Sequence, residues 1–132
     1  MMFASLMCLA MTIYHEARGE SLEGQVAIAK VVVNRVNSTA FPASSVCEVV
    51  HQGGKTLNKC QFSWYCDGIA DDPKDLQAWS TSITIAALSP LYQDNTLGAL
   101  WYHEASIEPV WATTSYLQLG HHRFYNAIQE KK

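Results

Sequence analysis

At 132 residues, with 48% hydrophobic and 16% charged side chains, the chain has the length and balance of one globular domain and is unlike a disordered segment. Its 9 Lys and Arg stand against 12 Asp and Glu, a net charge of −3, so it carries no basic field to gather nucleic acid or anionic lipid. The apolar opening, residues 1–14, has no basic n-region and is shorter than the roughly 20 apolar residues a bilayer span takes, so it reads as a first core helix. The expectation is a chain made in the cytoplasm without a signal peptide and without stable membrane insertion.

Leu6, Leu9, Ala10, Ile13 and Ala17 recur at helical spacing, and Glu16 falls at the edge of that stripe. A carboxyl group aimed at an apolar interior resists ionisation and holds its proton nearer neutral pH, which makes Glu16 a general-acid candidate. The competing reading pairs Glu16 with Arg18 or a later cation at the helix end. Arg18-Gly19-Glu20-Ser21 reads as a stop and a restart: Gly19 suits the left-handed position after a helix, and Ser21 can cap the next one. Residues 25–36 are apolar on most faces, the pattern of a helix buried nearly all round, with a buried strand as the alternative.

A connection is expected at 37–43, then a short helix over 46–52 capped by Ser44 or Ser45 and ended by Gly53-Gly54, with a mobile loop beyond. Gln61-Phe62-Ser63-Trp64-Tyr65 alternates polar and aromatic, which predicts a short strand or extended segment presenting Gln61 and Ser63 on one face. Cys66-Asp67-Gly68 reads as a turn. Asp72-Pro73 predicts the start of a helix carrying Leu76, Trp79, Ile83, Ala86 and Ala87 to a stop before Pro90. Strands are expected over 97–103, with Tyr102 and His103 at its end, and over 120–125, with a loop marked by Pro109 and Trp111 between them.

Several chemistries compete. His15-Glu16 opens like a zinc-protease helix, but the position four after His15 is Gly19, so the second ligand is missing and no metal is expected. Cys8, Cys47, Cys60 and Cys66 lack the close pairs of a structural zinc site and allow three disulfide connectivities, with free buried thiols as the alternative. At least one bridge is expected within Cys47, Cys60 and Cys66. His51, His103 and His122 could in principle serve a cysteine nucleophile, although nothing local specifies it. Adjacent His121 and His122 would point to opposite faces of a strand, one of them packing. Trp64, Tyr65, Trp101, Tyr102 and Trp111 supply the aromatic faces that carbohydrate grooves share with hydrophobic cores.

Five ordered segments, YHEARGE…EGQVAIAKVVVNRV at 14–36, FP..SVCEVVHQ at 41–52, CQFSWYCDG at 60–68, ALWYH……P.W at 99–111 and GHHRFY at 120–125, together resemble the cell wall hydrolase family of SleB-type spore-cortex-lytic enzymes. The resemblance implies a single domain over 1–132, α+β and mainly helical, lysozyme-like with a small antiparallel sheet. It implies cleavage of peptidoglycan glycan strands between N-acetylmuramic acid and N-acetylglucosamine. No cofactor is expected, and the chain is expected to be a monomer. The first glutamate of EARGE, the family's catalytic acid, falls on Glu16. Glu104 and Ser106 depart from the small and aromatic residues the family carries there. The expectation is a bare catalytic domain like a phage endolysin.

The arrangement expected is therefore Glu16 at the floor of a groove, Gln61 and Ser63 on one wall, and Tyr102 and His103 on the other. Glycoside hydrolysis normally takes two carboxylates, and Glu20, Glu23 and Asp67 have helix-terminus and turn roles that explain them. One acid then serves twice, which predicts a lytic transglycosylase that closes a 1,6-anhydro ring. A hydrolytic muramidase and a non-catalytic glycan-binding module are the alternatives.

Overall fold

The computed structural model describes residues 2–41, 45–53, 57 and 60–128. Four α-helices among them, α1 (Phe3–Ala17), α2 (Leu22–Val36), α3 (Val46–Val50) and α4 (Leu76–Leu88), precede an antiparallel sheet of β1 (Trp101–Glu104), β2 (Leu117–Leu119) and β3 (His122–Tyr125) in the order β1-β3-β2. This is the expected mainly helical α+β architecture, with β2 as an element the sequence did not reveal.

Local chemistry sets the helix ends. Backbone φ at Gly19 is +91°, the left-handed turn that lets α1 stop and α2 begin. The Ser21 hydroxyl accepts the Gly24 N–H and that of Ser45 accepts the Glu48 N–H, each cap contributing about 1 kcal/mol. Helix α2 is sealed on nearly every face from Gly24 to Val32, including Lys30, whose ammonium donates to the Ser89 carbonyl at 2.8 Å. Leu9, Ile13, Val26, Ala29, Val32, Val49, Phe62 and Ile85 form the main core between the helices. A second cluster of Ala17, Ala27, Ile28, Val31 and Phe124 welds α1 and α2 to the sheet, and Tyr102 packs against both clusters.

Three expectations are corrected. Residues 61–65 are no strand: Ser63–Cys66 forms a turn of 3-10 helix. The Cys60–Cys66 disulfide holds Cα atoms 6.1 Å apart, whereas six extended residues would span roughly 20 Å, so an extended path is closed to this segment. Burial still alternates, with Phe62 and Trp64 inside and Gln61 and Ser63 outside. Helix α4 is capped by Asp75, whose carboxylate accepts the Ala78 N–H, and not by Asp72. The Tyr14 hydroxyl takes the N–H groups of Lys74 and Asp75 at 3.0 and 2.9 Å, which commits that stretch to α1 and delays the helix. Strand β1 begins at Trp101 because Leu97 and Gly98 both adopt positive φ, a turn incompatible with a strand over 97–103.

A second bridge joins Cys8 to Cys47, tying α1 to α3 across a separation of 39 residues. The loop expected beyond Gly53-Gly54 and the alternative cap Ser44 lie largely outside the described residues. Among the described residues no helix is long and apolar enough to cross a membrane, and no group of three or more His, Cys, Asp or Glu is placed to hold a metal ion.

Candidate active site

A groove of about 720 Å³ opens where the end of α1, the Cys60–Cys66 loop and the sheet meet. Glu16, Gln61, Ser63, Tyr102 and His103 all line it. Glu16 sits in the last turn of α1, directly after two residues that bind other segments of the chain. Tyr14 is buried and anchors the segment before α4, while the His15 ring stacks on Trp64 at 4.7 Å and its Nε2 donates to the Asp71 carbonyl at 2.9 Å. The helix end is thus clamped, and its carboxyl group has a fixed position.

Burial pushes the Glu16 carboxyl above its ordinary value of 4.5. Opposing that shift are a hydrogen bond from Tyr102 and the charges of His122, His15 and Arg35. Tyr102 donates its hydroxyl hydrogen to Oε1 of Glu16. Burial, and then the neighbouring Glu16 charge, hold the phenol well above its usual 10.0, so it remains a donor. With Oε1 occupied, a proton on Glu16 belongs on Oε2. A carboxylic acid whose donor oxygen is fixed in this way can protonate a leaving group held in the groove.

Tyr102 and His103 occupy opposite faces of β1. Tyr102 turns to the helices, stacking on Phe124 at 5.8 Å and meeting His122 edge-on at 5.5 Å. His103 turns to an aromatic cluster with Trp111 and Tyr125. Its Nδ1 lies 2.6 Å from the Glu104 carbonyl, so that nitrogen carries the hydrogen and Nε2 accepts from the Tyr125 hydroxyl at 2.7 Å. Both ring nitrogens of His103 are engaged within the protein, and its ring packs against Trp111 and Tyr125. Gln61 and Ser63 are exposed on the opposite wall.

The sequence reading did not assign Arg35, Glu104 or His122 to the groove, and all three line it. Arg35 ends the buried helix α2, donates from Nε to the Leu100 carbonyl at 2.7 Å and lies over the rings of Phe41 and Phe62. An arginine inside an apolar helix run was the available signal. Glu104 and His122 face each other across β1 and β3, a pairing that depends on register and leaves no trace in sequence spacing. Glu20 is corrected from a capping role. Its carboxylate reaches the turn before β3, accepting the His121 backbone N–H at 2.8 Å and His121 Nδ1 at 2.6 Å. Burial opposes ionisation of Glu20, yet those bonds hold its pKa below 4.5 and raise that of His121.

Comparison with known proteins places this geometry. The model of the Cell Wall Hydrolase family matches residues 19–125, a span that begins just past Glu16. A spore cortex-lytic enzyme of Halalkalibacterium halodurans is 31% identical over 121 residues, covering 89% of this chain and 33% of that protein. Another, from Bacillus subtilis, is 57% identical over 44 residues, 33% of this chain and 14% of that protein. The chain therefore spans a third or less of these curated relatives. Among solved structures, the catalytic domain of the germination-specific lytic transglycosylase SleB from Bacillus anthracis superposes with a TM-score of 0.70 at 28% identity, over 94% of this chain and 95% of that one. The catalytic domain of the Bacillus cereus SleB protein gives 0.65 at 25% identity, over 91% and 88%. The match over residues 19–125, joined to the shared architecture, makes this chain a member of the cell wall hydrolase family.

Proposed function

We propose that the chain cleaves peptidoglycan glycan strands between N-acetylmuramic acid and N-acetylglucosamine, as a lytic transglycosylase with Glu16 as its acid. The observation that carries this reading is the Glu16 carboxyl recessed in the groove, its pKa raised by burial and its Oε1 bonded to Tyr102. The lytic transglycosylase likeness of the Bacillus anthracis domain supports the reaction type. Glu16 Oε2 gives its proton to the bridging oxygen as the bond from the muramic acid anomeric carbon breaks. The 6-hydroxyl of the same muramic acid attacks that carbon and closes the 1,6-anhydro ring. In the single-acid scheme the newly ionised Glu16 takes the 6-hydroxyl proton. Gln61 and Ser63 on one wall and Tyr102 and His103 on the other contact the sugars.

Loss of a general acid costs on the order of 10² to 10⁴ in rate, so a folded Glu16→Gln protein should clear purified sacculi slower by that factor. Clearing at the wild-type rate would end the assignment, and binding without any clearing by the wild type would mark a glycan-binding module instead. A hydrolytic muramidase is the second reading, favoured by Glu104, which brings another carboxylate into the groove. The products separate the two. Transglycosylation yields 1,6-anhydromuramic ends, lighter by one water, whereas hydrolysis yields reducing ends that incorporate oxygen-18 from labelled water.

A further inference from the structure

The groove holds one buried imidazole whose role the single-acid scheme leaves unassigned. His122 is 6% exposed and lines the groove beside Tyr102. Its Nδ1 forms no hydrogen bond, yet it lies 3.3 Å from Oε1 of Glu20. Glu20 is itself fixed by the His121 backbone and ring, and Gly120 makes room for it: a Cβ at that position would come within 2.7 Å of Oε1. A carboxylate held 3.3 Å from one ring nitrogen favours the hydrogen on that nitrogen and leaves Nε2 to accept a proton, the arrangement in which a third group orients a proton acceptor.

We propose that His122, oriented by Glu20, is the general base of the reaction and takes the proton of the attacking hydroxyl. This rests on the glycan-cleaving reading and deepens it. The step balances: Glu16 Oε2 protonates the bridging oxygen, the anomeric carbon–oxygen bond breaks, the bond from O6 to that carbon forms, and the O6 proton passes to Nε2. Turnover leaves a Glu16 carboxylate and a His122 imidazolium, and one proton returned through solvent restores both. The division of labour follows from the surroundings of Glu16. Tyr102 occupies Oε1, and the leaving oxygen has just taken its proton from Oε2, so both oxygens of Glu16 are engaged as O6 attacks.

The charged and titratable groups around the His122 ring are Glu20 at the α1–α2 corner, Glu16 on α1, Arg35 on α2, Tyr102 and Glu104 on β1, and His121 and Arg123 beside it. The test is the rate of sacculus clearing across the range where histidine titrates, about pH 5 to 8, for wild type, His122→Gln, Glu20→Gln and Glu104→Gln. The expected result is an acid-side fall in the wild type that coincides with the His122 titration followed by NMR. His122→Gln should lose about 10² to 10⁴ in rate and lose that fall, and Glu20→Gln, which removes the carboxylate beside Nδ1, should lower the rate and change the shape of that fall. Glu104→Gln should leave its origin with His122. A folded His122→Gln protein with the wild-type rate and profile would overturn the proposal. So would a wild-type acid limb that does not track the His122 ring, a result that needs no variant to fold. If Glu16→Gln abolishes clearing while the His122 profile is unchanged, this inference alone fails; if Glu16→Gln clears normally, the reading beneath it fails.

Discussion

Tyr102 donates its hydroxyl hydrogen to Oε1 of Glu16, joining the middle of β1 to the last turn of α1 across 86 residues of sequence. Because the bond favours the anion, it offsets part of the rise that burial imposes on the Glu16 pKa. Replacing Tyr102 by Phe keeps the ring against Phe124 and removes only the donor. The Glu16 pKa should then rise further. The alkaline side of the rate profile, where the acid ionises and activity falls, should move to higher pH, with the plateau reduced by about tenfold for the loss of roughly 1.4 kcal/mol of preorganisation. Rate profiles of the two proteins on sacculi check both, and an unmoved alkaline limb would show that the bond does not act on the acid.

The same burial makes Glu16 a cost to stability. Its folded pKa lies above the unfolded value of 4.5, so its favourable contribution is complete below that pH and is lost as pH rises through the folded value. Glu16→Gln cannot ionise and escapes that loss. Thermal melting should therefore show the variant gaining on the wild type as pH rises above 4.5, the gap levelling off once Glu16 is ionised in the folded protein. Equal melting temperatures throughout would mean that the folded protein does not resist ionising this residue.

The Cys60–Cys66 bridge shapes the wall carrying Gln61 and Ser63, and Cys8–Cys47 ties α1 to α3. Oxidised folded protein should leave no rapidly alkylated thiol among the four cysteines, and mass mapping should return these two pairs. Serine at both 60 and 66 should lower stability by about 2 to 4 kcal/mol in denaturant melts. It should also lower kcat as well as raise KM, because the loop carries both the Gln61 and Ser63 wall and Trp64, on which the His15 ring beside Glu16 stacks. Rapid alkylation of any of the four cysteines in the oxidised, folded protein, or a different set of pairs on mass mapping, would contradict the pairing.

Gly120 combines a φ of +61° with its tight approach to the Glu20 carboxylate. Alanine there would meet both a left-handed backbone and a clash with Oε1. A loss of about 1 to 3 kcal/mol is expected, together with a weaker hold on His121. Chemical denaturation measures the first, and a fall in the His121 titration midpoint the second.

The sequence by itself determined the helices that local chemistry specifies. The stripe from Leu6 to Ala17, the glycine stop at 19, the Ser21 cap and the apolar run of α2 are short-range signals, readable because a helix closes its hydrogen bonds within a few residues. The placing of Glu16 at the edge of an apolar face was legible for the same reason. So was the alternation of Gln61 and Ser63 with Phe62 and Trp64, although its geometry was not: a covalent bridge from Cys60 to Cys66 overrode the strand pattern. The Tyr14 hydroxyl likewise moved the start of α4 from Asp72 to Asp75 by claiming two backbone N–H groups from another part of the chain.

Only the tertiary structure decided how the groove is wired. The Tyr102 to Glu16 bond, the reach of Glu20 to His121 and His122, and the facing of Glu104 and His122 across the sheet join residues that no periodicity relates. Their positions depend on strand register and on the angle at which α1 meets the sheet, quantities fixed by packing the two core clusters around Tyr102 rather than by any local preference. Composition and spacing could nominate an acid; the direction of its proton depends on a phenol delivered from the far end of the chain.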